Sequence, residues 1–207
     1  MEKDSSVIII GAGIVGTTLA YELSSAGYKK ITVIERNATI PGLNQSSTNE
    51  GTIHSGIYYP KDVMPLKAKL CVEGNALLYE FLEAHKLPYT KNGKLVVASN
   101  SQQEEYLDFF LTIGIENGVP GLKRISGTEA KELEPNIENV TAALLVPSAG
   151  SASPAALIKK VVERAKENGV IFLLNTQITN FFELKADYII NAAGLYADEV
   201  AKVINPE

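Results

Sequence analysis

One stretch constrains this chain more than any other: residues 7 to 35, VIIIGAGIVGTTLAYELSSAGYKKITVIE. Val7, Ile8, Ile9 and Ile10 form a β-branched run without a polar break, the pattern of a strand buried on both faces of a parallel sheet. Gly11-Ala12-Gly13-Ile14-Val15-Gly16 follows with no spacer. Leu19, Ala20 and Leu23 then recur at helical spacing, and Gly27 lies where such a helix stops. A second β-branched run, Ile31 to Ile34, ends in Glu35. The spacing predicts a whole β-α-β unit with a glycine-rich turn between its first strand and its helix.

Each position in that unit has a physical task. Gly11 permits the tight turn out of the strand, and Gly13 removes a side chain where a backbone must approach a pyrophosphate. Gly16, with the small Ala20 one turn on, lets the helix lie close to the sheet. Phosphates would rest on the N–H groups and positive dipole end at Ile14 and Val15. Glu35, 24 positions after Gly11, is placed to accept hydrogen bonds from ribose hydroxyls, with Arg36 beside it, and its charge would repel a 2′-phosphate. The expected fold class is α/β: a Rossmann-like domain with a mostly parallel sheet, binding a dinucleotide. This motif alone leaves FAD and NAD both open.

Composition narrows the rest. With 207 residues, 45% of them hydrophobic, the chain has room for one large domain or one and a half ordinary ones and is not disordered. Nineteen basic residues face 24 acidic ones, and the only basic clusters are pairs such as Lys29-Lys30 and Lys159-Lys160, so no nucleic-acid partner is expected. The single cysteine, Cys71, excludes an internal disulfide, suits a reducing cytoplasm and sits in an apolar-periodic stretch as a small core thiol. No run approaches the ~18 apolar residues of a membrane span, the acidic start Met1-Glu2-Lys3-Asp4 is no signal peptide, and no metal site is expected.

Residues 42 to 60, GLNQSSTNEGTIHSGIYYP, read as a polar, glycine-rich loop that nevertheless groups His54, Tyr58 and Tyr59. Residues 65 to 86 read as a helix with Leu66, Leu70, Ala76-Leu77 and Phe81 as its core stripe, followed by a strand over 93–98 and a helix over 102–113. Ser153-Pro154 opens another helix as N-cap and first residue, ending at Asn168-Gly169. Tyr188-Ile189-Ile190 is a further buried strand, and Ala192-Ala193-Gly194 a small-residue turn that permits close ligand approach.

The strings NEGTIHSGIYYP, LKAKLCVEGNALLYEF, NGKLVVA and ENGVPGLKRIS resemble L-2-hydroxyglutarate dehydrogenases and oxidases. These belong to the D-amino-acid-oxidase-like FAD superfamily, together with glycerol-3-phosphate dehydrogenase and sarcosine and glycine oxidases. The resemblance runs from about residue 6 to residue 203 and implies FAD, with its ring near the loop of His54. It implies that Ser46, Ser47, Asn49 and Gly51 approach the flavin and pyrophosphate, that Ile178 borders the adenine side, and that Ala193, Gly194 and Leu195 pass under the cofactor. His54 is then the candidate base, or the group that polarises the substrate, since imidazole titrates near neutrality; Tyr58 and Tyr59 are candidate substrate-cavity residues. Members of the family continue well beyond the position of Glu207, so the chain is expected to be an N-terminal part, weakly active or inactive alone, with uncovered sheet edges open to self-association.

The expected division is an FAD-binding domain over 1–84 and 147–207, with 85–146 as part of an inserted α+β substrate domain. Three functions compete. The first is a flavoenzyme oxidising a small carboxylate such as a 2-hydroxy acid, or, in its relatives' manner, glycerol 3-phosphate or an amino acid. The second, an NAD-dependent dehydrogenase, accounts for residues 7–35 but not for the loop of His54. The third is a non-catalytic dinucleotide-binding fragment.

Overall fold

Ser6–Ile10 (β1), Ile14–Ser25 (α1) and Lys30–Ile34 (β2) form the expected β-α-β unit in the computed structural model, which describes residues 1–180, 182 and 184–204. β1 pairs in parallel with β2, Val7 opposite Ile31 and Ile9 opposite Val33. On its other side β1 pairs in parallel with β10 (Tyr188–Asn191), and β2 with β9 (Ile171–Leu173), giving the order β10-β1-β2-β9. Val7, Ile9, Ile31 and Val33, which share one face of the sheet, are all buried, while on the other face Ile10 and Ile34 are buried and Ile8 and Thr32 half-buried. The first four form one core with Ala20 of α1 and Ala165 of α5 (Pro154–Glu167), the two helices packing together. A second cluster joins Ile10, Ile34 and Leu184 to Val200 and Ile204 of α6 (Ala197–Ile204).

The punctuation works as expected at α5: the Ser153 hydroxyl accepts the Ala156 N–H, Pro154 is the first helical residue and Asn168 closes the helix. The Asn168 amide then donates to the hydroxyls of Ser24 and Ser25, tying the end of α5 to the end of α1. Where β10 begins, the Asp187 carboxylate accepts both the backbone N–H and the hydroxyl of Ser6, each at 2.7 Å, and so pins the start of β10 to the start of β1. Those Ser6 donors hold the Asp187 pKa below the usual aspartate value, with Lys30 adding to the effect. Because the folded-state pKa is depressed, the contribution is complete above about pH 4 and is lost as pH falls through the folded value. Asp187→Asn is therefore expected to lower the melting temperature at neutral pH, with the gap from wild type closing below pH 4. A gap that persists unchanged in acid would show that the carboxylate's charge is not involved.

Residue contacts divide the chain into Met1–Glu50 with Ser153–Glu207 and, separately, Gly51–Ala152. The second unit is antiparallel. β3 (Thr52–Ile53), β8 (Gly150–Ala152) and β4 (Tyr89–Thr90) form one sheet in the order β3-β8-β4. β5 (Lys94–Ala98), β7 (Ala142–Val146) and β6 (Lys123–Ser126) form the other, in the order β5-β7-β6. α3 (Ser101–Asn117), capped by Asn100 and ended by Gly118 at φ 79°, rests on β5 and β7. The buried Leu107, Val119, Leu144 and Val146 form the core there. α4 (Gly127–Leu133) opens on a reciprocal Ser126/Glu129 capping box.

This division differs from the expected borders at 84/85 and 146/147. Residues 51–84 group with the inserted segment because their loop is held by it: the Asn117 amide donates to the Gly56 and Tyr59 carbonyls, each at 2.8 Å, and Ile57 is completely buried in the α3 core.

The expected core stripe of α2 (Pro65–Ala84) is a correction. Leu66, Leu70 and Leu77 are 67%, 54% and 62% exposed, and the buried residues are Ala68, Tyr79 and Leu82. At roughly 100° per residue the leucine stripe lies half a turn round the helix from the buried face. Small Ala68 permits close approach on the covered side, and the Tyr79 hydroxyl donates to the Ser148 carbonyl within the protein. Cys71, expected as a core thiol, is only partly buried. Among the described residues no helix is long and apolar enough to cross a membrane.

Candidate functional site

The glycine-rich turn shapes the C-terminal edge of the parallel sheet. Gly11 adopts φ 106°, and a Cβ there would lie 2.5 Å from the Ala192 carbonyl oxygen at the end of β10. A Cβ on Gly16 would run into the Gly11 carbonyl oxygen and stand 3.4 Å from the Ala192 side chain. Gly16 thus keys α1 onto the turn itself and onto β10, a tighter fit than helix-on-sheet packing alone. The turn lies against two strands that are adjacent in space and 180 residues apart in sequence.

Above this turn is a cavity of 510 Å³, a volume within the ordinary range for small-ligand sites. Gly11, Gly13, Val15, Glu35, Arg36 and Ser46 line it from the first half of the unit, and Ile178, Ala193, Gly194 and Leu195 from the second. Ile14 and Gly16 shape the turn from outside its wall. Ser47 and Asn49 bond back into their own loop, to Asn44 and to the Gln45 and Ser46 carbonyls, and Gly51 lies in the other unit.

Glu35 is 7% exposed, yet its carboxylate faces two donors. One oxygen accepts the Ala12 N–H and the other the Asn37 N–H, both at 2.8 Å. The acid thereby fastens the glycine turn to the end of β2. A carboxylate offers about four lone-pair sites, so acceptor capacity remains for ribose hydroxyls. At the first turn of α1 the N-cap, Gly13, has no side chain to offer. Its place is taken by Ser46, whose hydroxyl accepts the Ile14 N–H at 3.0 Å. The N–H at this helix end thus already meets an oxygen acceptor of the kind a phosphate would offer.

Sequence reasoning missed Tyr196, which follows the Gly194 turn. Its ring carries the Arg36 guanidinium 3.7 Å from the centroid, and both residues line the cavity. The signal available was an aromatic two positions beyond the glycine of the small-residue turn that follows β10. Thr176 and Gln177, which precede Ile178, are also in the wall.

The second unit has its own hollow of about 610 Å³. His54, Tyr59, Lys67 and Cys71 line it, together with Met64, Leu66 and Leu70, so two of the exposed leucines of α2 belong to this concavity and Leu77 does not. His54 is exposed. The Lys67 ammonium lies 4.6 Å from the Tyr59 ring centroid. Burial, followed by the neighbouring Cys71 and Tyr58, raises the Tyr59 hydroxyl above its usual pKa; burial also raises the Cys71 thiol, against the opposing pull of Lys67 and Lys94. Tyr58 turns elsewhere, edge-on to Phe110 at 5.0 Å and accepting from Lys94 at 3.2 Å. The two tyrosines are separated in role: one lines the hollow with His54, the other packs on the core.

The chain is similar to known proteins over most of its length. The profile of the DAO family, described as FAD dependent oxidoreductase, matches residues 6–207. L-2-hydroxyglutarate dehydrogenase of Indibacter alkaliphilus is 34% identical over 99% of this chain and 54% of that protein. The mitochondrial L-2-hydroxyglutarate dehydrogenase of Arabidopsis thaliana is 37% identical over 76% of this chain and 32% of its own length. Among solved structures, the L-α-glycerophosphate oxidase of Mycoplasma pneumoniae, determined with FAD bound, superposes with a TM-score of 0.84 at 30% identity, covering 98% of this chain and 57% of that one. The chain spans from a third to little more than half the length of these proteins.

Proposed function

The chain belongs to the family of FAD dependent oxidoreductases, and from that premise we propose that it serves the oxidation of a small 2-hydroxy acid of the L-2-hydroxyglutarate kind. The observation that supports the cofactor half is the cavity over the glycine turn. Its floor is backbone: a Cβ at Gly11 would strike Ala192, nothing lies within 4 Å of where a Cβ on Gly194 would point, and the α1 end already holds an oxygen acceptor. These residues fit an FAD. Gly11, Gly13 and the α1 N-terminus would hold its pyrophosphate, Glu35 its ribose hydroxyls, and the segment around Ile178 its adenine.

Oxidation of a CH–OH group to C=O removes a hydride and a proton. When bound, the flavin supplies the two-electron acceptor. This chain's residues do the rest: His54 takes the hydroxyl proton on its imidazole, Tyr59, Leu66 and Leu70 present an apolar wall, and the Lys67 ammonium attracts the carboxylate. Burial raises the Cys71 thiol pKa against the pull of Lys67 and Lys94, which disfavours its thiolate. A cytoplasmic location is part of the same reading.

A second reading, glycerol 3-phosphate as donor, draws support from the FAD-bound glycerophosphate oxidase. Freshly purified protein should release a flavin on denaturation, read from its visible absorption; a nicotinamide without flavin would sink the cofactor assignment. Anaerobic mixing of FAD-loaded protein with L-2-hydroxyglutarate, glycerol 3-phosphate and amino acids should then bleach the flavin with the hydroxy acid first. Bleaching by glycerol 3-phosphate alone would transfer the assignment to the second reading.

A further inference from the structure

We propose that Asn75 and Asn117 are positioning residues that hold the His54–Tyr59 loop in its working shape, an assignment resting on the reading of His54 as the proton acceptor. Each comes from a different helix and each takes two main-chain carbonyls. Asn75, on α2, donates through Nδ2 to the His54 and Ser148 carbonyls at 2.9 Å each. Asn117, the last residue of α3, donates through Nδ2 to the Gly56 and Tyr59 carbonyls at 2.8 Å each. The two hydrogens of an amide nitrogen can serve two carbonyls in this way, whereas a carboxylate of the same shape would face them with lone pairs. The loop is therefore fastened at its first residue, at its middle and at its last.

Between these clamps the loop is anchored from inside. Ile57 is completely buried and packs where α3 carries Gly114, whose Cβ would come within 3.1 Å of it. Gly56 approaches α2 so closely that a Cβ would lie 2.8 Å from Val72. His54 and Tyr59 stand at the two ends of this six-residue span and both line the same hollow. A short irregular segment has no ladder of its own, so its shape depends on such side-chain donors. Three buried polar atoms at the same place, Ser55 Oγ, Ser148 Oγ and Asn117 Oδ1, have no protein partner among the described residues. Internal water bound to them would complete the support.

The chain holds two histidines, His54 and His85, which makes the test self-referenced. The pH profile of carbethoxylation by diethyl pyrocarbonate is measured for each histidine in the whole chain, together with amide hydrogen exchange, for wild type, Asn75→Ala and Asn117→Ala. Asn75→Asp, which keeps volume but loses the donors, serves if the alanine variant fails to fold. The expected result is a change of at least fivefold in the His54 rate with a displaced pH midpoint, an unchanged His85 profile, and at least tenfold faster exchange confined to residues 55–59. An unaltered His54 profile in a variant overturns the assignment of that asparagine. A joint change of His54, His85 and the β7 amides overturns it as well, because that is general loosening. The measurement needs neither cofactor nor substrate, so wild type that releases no flavin would refute the functional reading and leave this result to stand or fall separately.

Discussion

Gly16→Ala is expected to lower stability by about 3 kcal/mol, the upper end of overpacking costs, and to abolish dinucleotide binding. The new Cβ would be driven into the Gly11 carbonyl oxygen, a backbone atom, with the Ala192 side chain 3.4 Å away on the other side. No flexible side chain is available to yield. Relief requires α1 to lift from the turn, which misplaces the N–H groups that receive phosphate. For a chain of this size the loss corresponds to a fall of roughly 6–12 °C in melting temperature. Gly74→Ala is the control, since it lies in α2 with nothing within 4 Å of the new atom and should be neutral or gain up to about 1 kcal/mol from helix propensity. Equal melting temperatures for wild type and Gly16→Ala would refute the account of the turn.

Glu35→Ala should lower both stability and affinity. The substitution removes acceptors from two backbone donors, Ala12 N–H and Asn37 N–H, at a site where the residue is 7% exposed. Hydrogen bonds to a charged group contribute roughly 1.5–3 kcal/mol each, so a stability loss of about 3 kcal/mol accompanies the loss of the ribose acceptor. FAD binding should weaken by about a hundredfold or more, equivalent to ~3 kcal/mol. Glu35→Gln, keeping one acceptor and presenting an NH₂ to the other donor, should fall between. Titration of apoprotein with FAD and with ADP checks this: the two ligands should lose affinity in parallel, because both carry the ribose that Glu35 serves. A dissociation constant unchanged in Glu35→Ala would mean that the acid only fastens the turn.

The β1-α1-β2 unit was legible in the sequence because every level agreed there: β-branched runs, glycines at fixed offsets and a terminal acid all pointed to one answer. The start of α5 at Ser153-Pro154 was legible for a similar reason, since capping chemistry is local. Helix α2 shows where such reading stops. Leu66, Leu70 and Leu77 mark an apolar stripe, and periodicity identifies the stripe but not what covers it. The covered face was chosen instead by Ala68, small enough for close approach, and by Tyr79, whose hydroxyl has a partner inside. The cavity residues on β2 and the glycine turn followed from the motif. Tyr196, Asn75 and Asn117 did not, because their roles depend on carbonyls and rings brought near by tertiary structure, which no spacing encodes.

The first unit is discontinuous, its β1 and β2 preceding the inserted residues and its β9 and β10 following them. That layout sets an order of events during synthesis. β1 meets β10 across a sequence separation of about 180 positions, Val7 beside Tyr188, whereas the antiparallel sheets and helices of Gly51–Ala152 close within themselves. Contacts of long range form slowly because a large loop must be closed before any pairing rewards it. The inserted unit can thus fold on the ribosome while β1 and β2 wait as an incomplete, apolar pair. Its prompt folding also draws residues 50 and 153 together, shortening the effective loop that separates the two halves of the nucleotide site. A substitution that slows the insert, even one remote from the cavity, should therefore surface as a low yield of FAD-competent protein.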